Sequence, residues 1–332
     1  MRIVIPVLSL ETGGGARFLY QLANALADRG HSVEIVIPQQ AVIAWPIRVK
    51  VRRVQELTAR SMPPGDFILP NFYPTVMPAW ESKKGRVVRL SLVYEPLILL
   101  DVAETAKNTY LINAPIMTIS QWQRQIILQQ LGRNSTVIQG GVDGLIFHLY
   151  PKLSLQTGRK TIFYIVRGPG YTWKGKDDFF QACYRVKQRF SNFDIVVVTP
   201  EAMPFDSPIP YVVKTAQTDQ ELARLYAQAD VFVYTSYYEA FGLPPLEAMA
   251  CRTAVVTTDC GGNRDYTKPG ENCLLVPPSD IEQLTEAIYD LLINQAKREH
   301  LANNGHLFAQ TWTWQKTAEQ VERFLRSLHR SS

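Results

Sequence analysis

Two glutamates bracket the stretch of this chain whose residue types could do chemistry. Glu239 and Glu247 flank AFGLPPL, between a strand-like run and a helix-like run. Gly242 can bring bare backbone close to a ligand, and two prolines follow that suit a first helical turn. We therefore expect the amides of Phe241, Gly242 and Leu243 to bind an anion at a helix N-terminus. A sugar nucleotide would place its phosphates there and its hydroxyls on the carboxylates.

Each glutamate alone also has a local explanation, because Glu247 suits a first helical turn and Glu239 suits a solvated loop. The whole string is more specific, and it resembles the E-x7-E signature of retaining glycosyltransferases of family 4. The Phe-Gly-Leu-Pro core and the Leu-Glu-Ala-Met-Ala helix start carry this resemblance, while Ala240 stands where the family usually has Gly. The resemblance implies that Glu239 contacts the donor sugar and that Glu247 holds the nucleotide ribose.

Two basic residues lie in the segment VRGPGYTWKG, which follows a predicted strand of the second half. Family members usually show an Arg followed by Lys-Gly here, and that pair neutralises the donor diphosphate. The resemblance therefore makes Arg167 and Lys174 catalytic residues together with Glu239. The spacing is longer than usual, so the loop must bulge, and Lys176 could substitute for Lys174. A solvated loop is the alternative for each cation.

Two glycine-containing loops are further candidates. The amides of Gly262 and Asn263 resemble the family's donors near the donor sugar. In the first half, Gly14 and Gly15 follow the first strand, where a phosphate-cradling turn belongs in an α/β fold. A dinucleotide fingerprint is incomplete, since Phe18 occupies the third glycine position. The resemblance places this first loop near the donor phosphates and the acceptor; a tight turn without a ligand is the alternative for both loops.

The acceptor side departs from the family pattern. Many members carry a His after the strand that corresponds to Val87–Val93, and Tyr94-Glu95-Pro96 stands there in this chain. Tyr94, Glu95 and Arg17 are therefore the acceptor-side candidates, with Glu95 the residue that would take over a polar contact.

Composition limits the remaining classes of function. The 332 residues are 46% hydrophobic, which suits two ordinary domains. The four cysteines fit no zinc pattern and favour reduced thiols in the cytoplasm. Neither a signal peptide nor a spanning run is expected. The net charge of +5 permits an anionic membrane surface, but no basic stripe interleaved with aromatics indicates nucleic acid.

One basic cluster has two interpretations. Arg48, Lys50, Arg52, Arg53 and Arg60 lie among apolar residues in the irregular region 41–64. A solvated edge strand is the simpler interpretation, because charged edges resist aggregation. A membrane-surface patch is the alternative.

Strand-like and helix-like runs alternate along the whole chain, which predicts parallel sheets wrapped by helices. The fold class is α/β, with two doubly wound Rossmann-like domains facing across a cleft, the GT-B fold. We expect an acceptor-side domain at 1–150, a donor-side domain at 151–310 and a C-terminal helix, 311–332, that crosses back to the first domain. The strands predicted for the second domain are Thr161–Val166, Asp194–Thr199, Pro210–Lys214, Val231–Tyr234, Ala254–Thr258 and Cys273–Val276.

The resemblance implies a retaining hexosyl- or deoxyhexosyl-transferase of polysaccharide or glycoconjugate synthesis. The donor would be a nucleotide diphosphate sugar, and the acceptor a saccharide or a lipid-linked saccharide. No metal and no cofactor are expected, because cationic side chains and a helix dipole face the leaving diphosphate. The location would be cytoplasmic, at or near the inner face of the membrane. A sugar-nucleotide epimerase of the same fold, a nicotinamide-dependent oxidoreductase and a non-catalytic sugar-nucleotide binding protein remain as alternatives.

Overall fold

The computed structural model describes residues 1–330 except 153–157, 167–170 and 200–205. The chain forms two compact units. Residues 1–141 and 314–332 make the first unit, and residues 142–313 make the second. The three sequence segments 1–150, 151–310 and 311–332 stay a prediction of folding domains.

The first unit holds two parallel sheets. One sheet has the order β3-β2-β1-β4-β5, and a smaller one has the order β6-β7-β8. A single strand predicted over Val87–Val93 is thus divided: at Val88 the chain leaves the first sheet, and Arg89 pairs with Ile116 in the second. The strands are β1 (Arg2–Pro6), β2 (Ser32–Pro38), β3 (Lys50–Val54), β4 (Phe67–Ile68), β5 (Arg86–Val87), β6 (Arg89–Ser91), β7 (Ile116–Thr118) and β8 (Thr136–Val137).

Helices connect these strands. The first follows β1 and buries an unbroken inner face that includes Phe18, Leu22 and Leu26. Apolar residues three and four apart explain this burial, because they share one face of a helix. The described helices of the first unit are α1 (Gly14–Asp28), α2 (Tyr73–Ser82), α3 (Glu95–Ile98), α4 (Ala103–Leu111), α5 (Gln121–Leu131) and, at the end of the chain, α11 (Trp314–Arg330).

The basic cluster of region 41–64 lies on and beside the edge strand β3. Arg52 and Lys50 contact the carboxylate of Glu34 on the neighbouring strand, at 2.7 and 3.3 Å. Arg48 forms a two-pronged pair with Asp28. The edge-strand interpretation is therefore confirmed for this segment. Arg48, Lys50 and Arg52 pair with carboxylates of the same unit, while Arg53 donates to main-chain carbonyls.

Helix α11 packs against α1. The rings of Phe18 and Trp314 meet edge to face with centroids 5.1 Å apart. Farther along, Glu322 accepts hydrogen bonds from Arg29 at 2.6 Å and from Arg326 at 2.8 Å. These bonds lower the pKa of Glu322 to about 2. Apolar contact at the start of the helix and an ion cluster near its middle hold it on the first unit.

The second unit has one parallel sheet with the order β11-β10-β9-β12-β13-β14. Counted within the unit this order is 3-2-1-4-5-6, the doubly wound arrangement of nucleotide-binding folds. All six strands predicted for this half of the chain are confirmed; two have the predicted bounds, and the other four have ends that differ by one or two residues. The strands are β9 (Lys160–Ile165), β10 (Phe193–Val198), β11 (Val212–Lys214), β12 (Val231–Tyr234), β13 (Ala254–Thr258) and β14 (Leu274–Val276).

Helices cover both faces of this sheet, which explains its uninterrupted apolar strands. Val233 and Val256 pack in one core with Phe179 and Ile288 from two helices. The helix after β14 is capped by Asp280, whose carboxylate accepts from the amide of Gln283, while Ser279 turns the chain at φ 62°. The described helices are α6 (Lys176–Arg189), α7 (Asp219–Gln228), α8 (Leu243–Ala250), α9 (Ile281–Ile293) and α10 (Gln295–Ala309).

Within the described part of the chain, no helix combines the length and the apolarity that crossing a bilayer requires. The four cysteines are buried and carry free thiols.

The Glu322 cluster predicts a pH-dependent contribution to the stability of the first unit. Its depressed pKa means that the contribution is present above about pH 4.5 and is lost as the pH falls toward 2. Glu322→Gln should lower the free energy of unfolding by about 1 kcal/mol at pH 6.5, because water screens this surface cluster. The difference from the parent should shrink at pH 3, as measured by urea unfolding.

The matched control for this experiment is Glu319→Gln on the same helix. Glu319 is half exposed and pairs with the exposed Arg323 at 3.3 Å, so its replacement should change stability by less than about 0.5 kcal/mol. Equal effects of the two substitutions would contradict the importance of the cluster.

Candidate functional site

The candidate site lies where the order of the second sheet reverses direction. Strand β9 has β10 on one side and β12 on the other, so the chain winds outward both ways from this point. In open α/β sheets, ligands bind beyond the carboxyl ends of the strands at this switch point. Lys174 follows the carboxyl end of β9, and Glu239 follows that of β12.

Lys174 is fixed by its own backbone. Its carbonyl accepts hydrogen bonds from the hydroxyls of Tyr164 at 3.1 Å and Thr235 at 2.9 Å. The next residue, Gly175, has φ 65°, and a Cβ there would lie 2.2 Å from the Thr235 carbonyl oxygen. Only glycine can lie this close to the backbone of the neighbouring segment. This close contact between Gly175 and Thr235 therefore fixes the backbone position of Lys174.

Glu239 receives two donors on one oxygen. The Lys174 ammonium pairs with Oε1, and the Tyr234 hydroxyl donates to the same atom at 2.8 Å. Burial, followed by the charge of Glu239, raises the pKa of Tyr234 well above its usual range. Tyr234 therefore stays protonated and donates. For Oε2 no partner is present within the described ranges, so one carboxylate oxygen is held and the other is open.

The Glu239 loop is joined by its main chain to the loop after β13. The Glu239 amide donates to the Cys260 carbonyl at 2.7 Å, and the Gly262 amide donates to the Glu239 carbonyl at 2.9 Å. A Cβ on Gly262 would lie 2.3 Å from backbone atoms of Ala240. The Gly262 amide is therefore already bonded within the chain, and its role as a donor to a ligand stays a prediction.

Asn263 also organises this loop from the inside. Its side chain is fully buried; it accepts from the Cys260 amide and donates to the Thr258 carbonyl at 2.8 Å and to the Thr257 hydroxyl at 3.1 Å. The side chain thus has a structural role. The proposal for Asn263 as a ligand donor concerns its main-chain amide alone.

Helix α8 begins at the predicted place, with Gly242 as its N-cap at φ 81°. The Tyr266 hydroxyl donates to the Gly242 carbonyl and fixes this left-handed turn. The three residues Phe241, Gly242 and Leu243 are buried, and none of their N–H groups finds an acceptor in the segments that the structure describes. Buried amides without acceptors are rare in proteins, and at a helix N-terminus they attract an anion.

Glu247 lies one turn further along α8 and is 3% exposed. Its Oε2 accepts from the Tyr226 hydroxyl at 3.3 Å. Burial is the main cause that raises the pKa of Tyr266, and the nearby Cys260, Cys273, Glu239 and Glu247 add to it. Both glutamates therefore lie near the Tyr266 hydroxyl that bonds the Gly242 carbonyl.

Arg167, predicted with Lys174 as a catalytic cation, lies outside the described residues. The other candidates belong to the first unit. Gly14 and Gly15 are exposed at the N-terminus of α1. The Arg17 guanidinium lies over the Trp45 ring at 5.1 Å.

The acceptor-side candidates Tyr94 and Glu95 are buried. Glu95 has no exposed surface; it pairs with the buried Arg89 at 2.8 Å and accepts from the Tyr110 hydroxyl. Tyr94 packs against the Tyr110 ring, with centroids 5.4 Å apart. The prediction that Glu95 offers a polar contact to an acceptor is not supported by this position, because removing one partner from a buried ion pair is costly.

Among the described residues, no group of three or more His, Cys, Asp or Glu side chains is arranged to hold a metal ion. Sequence reasoning also missed two tyrosines of the site. Tyr234 ends β12 and Tyr266 lies beyond the glycine loop, so both looked like ordinary core aromatics. The one available signal was position, because a hydroxyl at the carboxyl end of a switch-point strand can reach the residues that follow.

Comparison with known families gives this geometry a context. Residues 211–308 match the family described as Glycosyl transferases group 1. The similarity to that family is therefore limited to this part of the chain. The matched range contains Glu239, the N-terminus of α8 and the glycine loop after β13, and it lies wholly within the second unit.

Curated relatives match about a third of the chain. The MMP alpha-(1->4)-mannosyltransferase of Mycolicibacterium hassiacum is 38% identical over 106 residues, 31% of this chain and 26% of the relative. The O-antigen chain mannosyltransferase B of Escherichia coli is 34% identical over 103 residues, 31% of this chain and 26% of the relative. The match thus spans about a quarter of the length of these relatives.

Solved structures resemble the whole chain in fold. Sucrose-phosphate synthase from Thermosynechococcus elongatus superposes with a TM-score of 0.78 at 20% identity, covering 100% of both chains. Anabaena HepE in complex with UDP-glucose gives 0.81 at 18% identity, covering 98% of this chain and 100% of that one. These structures are GT-B glycosyltransferases, so the predicted α/β fold with two Rossmann-like units is confirmed.

The backbone crossing at Gly262 predicts a large local effect of a single methyl group. Gly262→Ala should destabilise the second unit by about 3 kcal/mol, because the added Cβ meets backbone that cannot rotate away. The control is Gly144→Ala, where a Cβ would meet nothing within 4 Å and the expected change is within about 0.5 kcal/mol. Urea unfolding measures both, and similar values would argue against a fixed crossing.

Proposed function

We propose that this protein is a glycosyltransferase that uses a nucleotide diphosphate sugar as donor and retains the anomeric configuration. The proposal rests on the three buried amides at the start of α8, for which the described residues offer no acceptor. The Lys174–Glu239 pair belongs to the same candidate site. A diphosphate satisfies those amides, and the hydroxyls of its sugar satisfy the open oxygen of Glu239. The group 1 match over the same residues supports this assignment.

The sugar-binding role proposed for Glu239 follows from the different surroundings of its two carboxylate oxygens. Lys174 and Tyr234 hold Oε1, which fixes the direction in which Oε2 faces. An ionised carboxylate only accepts hydrogen bonds, so Oε2 is suited to sugar hydroxyls. A held carboxylate also loses little rotational freedom when the donor binds, which favours tight binding.

Lys174 has a second function in this proposal. An ammonium carries three donors, and the described contacts of Lys174 Nζ use one, to Glu239. The remaining donors can meet phosphate oxygens of the leaving group. Arg167 would supply a second cation to the same diphosphate, since its planar fork suits phosphate oxygens.

The reaction breaks the bond between the anomeric carbon and the donor phosphate oxygen and forms one between that carbon and an acceptor hydroxyl oxygen. The acceptor proton passes to the departing phosphate oxygen, so the nucleoside diphosphate leaves on the same face that the acceptor attacks. Fixed donors at the developing negative charge are the main source of rate enhancement in such a site. No metal or cofactor is required, because the amides, the helix dipole and the cationic side chains face that charge.

Glu247 would hold the nucleotide ribose, after a small movement that opens its buried carboxylate. The transferred group would be a hexose or deoxyhexose, and the acceptor a saccharide or lipid-linked saccharide of polysaccharide or glycoconjugate synthesis. The first unit, with Gly14, Gly15 and Arg17 at or near the start of α1, would meet that acceptor.

The function is tested by release of nucleoside diphosphate from a panel of uridine, guanosine, adenosine and thymidine diphosphate sugars. At least one donor should be hydrolysed slowly without acceptor and faster with added saccharides. Lys174→Ala should lower the rate by about 10²–10³-fold, because it removes a charged donor from the leaving group. Glu239→Ala should also lose most of the activity.

The control variant is Lys187→Ala, on the exposed part of α6, where the lysine bonds the Ser191 carbonyl; its rate should equal that of the parent. Conversion of a donor to its epimer without release of nucleoside diphosphate would overturn the proposal in favour of an epimerase. Binding without turnover of any donor would favour a non-catalytic binding protein.

Tyr234→Phe separates positioning from general stability. Loss of one hydrogen bond to the Glu239 carboxylate should weaken nucleotide-sugar binding or turnover about tenfold. The affinity for the free nucleoside diphosphate should be unchanged, because that ligand lacks the sugar. Calorimetry with both ligands measures the difference, and an equal loss for the two would refute a specific role of Tyr234 in holding Glu239.

A further inference from the structure

A cavity of about 470 Å³ lies in the second unit at the amino ends of β9, β12 and β13. Lys160 begins β9, Asp230 precedes β12, and Arg252 precedes β13. The glutamate site lies at the opposite, carboxyl ends of the same parallel strands. Strand β12 alone separates the two places by about 13 Å, at 3.3 Å per residue, so the cavity is not part of the glutamate site.

Positive charge exceeds negative charge around this cavity. Lys152 and Lys160 share the single carboxylate of Asp230, at 3.0 and 4.0 Å, and Arg252 bonds a neutral amide, that of Asn303. The surplus is two positive charges. The charged lining residues are Lys152, Lys160, Arg252, Arg298, Asp230 and Glu299.

Arg298 is the residue that points to a ligand. It is only 7% exposed, and its Nη1 donates to the Leu291 and Leu292 carbonyls at the end of α9, at 2.6 and 3.3 Å. These bonds hold the guanidinium in place against the cavity. For Nε and Nη2 no acceptor occurs in the described parts of the chain, and because Arg298 lines the cavity these donors are available to a ligand there.

We propose that this cavity binds a small organic anion that carries a phosphate group. The free edge of the Arg298 guanidinium matches phosphate oxygens in a two-pronged geometry. Gln295 brings the positive end of the α10 dipole to the same wall. Leu149, Ala227 and Ala302 supply apolar wall for the carbon body of the ligand. The site does not depend on the proposed transferase activity.

The test is isothermal titration calorimetry with inorganic pyrophosphate, performed on Lys174→Ala so that binding at the α8 end is weakened. Binding should persist in that variant. Adding Lys160→Gln and Arg252→Gln should weaken it about tenfold or more, because two charge-assisted contacts are lost. Lys297→Gln is the matched control: Lys297 lies on the same helix, pairs with Asp290 and does not line the cavity, so its affinity should stay within about twofold of the Lys174→Ala value.

Methyl resonances locate the binding. Those of Leu149 and Ala302 should shift on titration with pyrophosphate, and the shifts should disappear in the variant that lacks Lys160 and Arg252. Loss of all binding in Lys174→Ala would overturn the proposal. Equal affinities of the double-substituted variant and the Lys297→Gln control would overturn it as well.

Discussion

The pair of main-chain hydrogen bonds between Glu239 and the loop after β13 is the constraint on which the site depends. It ties the ends of two neighbouring strands together at a point where Gly262 leaves no room for a side chain. The catalytic candidate therefore sits on a doubly anchored turn rather than on a free loop. With the backbone fixed in this way, Lys174 and Tyr234 need only orient the carboxylate, and they do so through one of its two oxygens.

The second unit has hydrogen-bond donors without acceptors among the described residues at both ends of its sheet. At the carboxyl ends the open groups are main-chain amides at the start of α8, and at the amino ends they are the free donors of the Arg298 guanidinium. The residues at the start of α8 are buried, and Arg298 lies in the wall of the cavity. The helix that begins near each place, α8 or α10, adds the positive end of its dipole. The two anion sites proposed above therefore share the same electrostatic means.

Much of the fold of the second unit could be predicted from the sequence, because its strands and the start of α8 depend on local sequence patterns. Alternation of apolar runs gave every strand of the second sheet, and Gly242 with its prolines gave the start of α8. Contacts that depend on distant segments escaped prediction. The Lys174–Glu239 pair joins residues 65 positions apart, and the Gly262 amide was assigned to a ligand because nothing local shows that Glu239 accepts from it. Glu95 was assigned a polar contact on the acceptor side for the same reason, since its partner Arg89 becomes buried only when β6 joins β7.

The return of α11 to the first unit has a consequence for how the chain is made. All of residues 142–313 leave the ribosome before Trp314, so the second unit can fold before the first unit is complete. At that stage Phe18 lacks its contact with Trp314, and Arg29 lacks its hydrogen bond to Glu322. During synthesis the first unit therefore stays incomplete until residues 314–332 have been made. Until then its uncovered apolar surface is accessible to chaperones and proteases. Removing that segment would therefore harm the half of the protein made first.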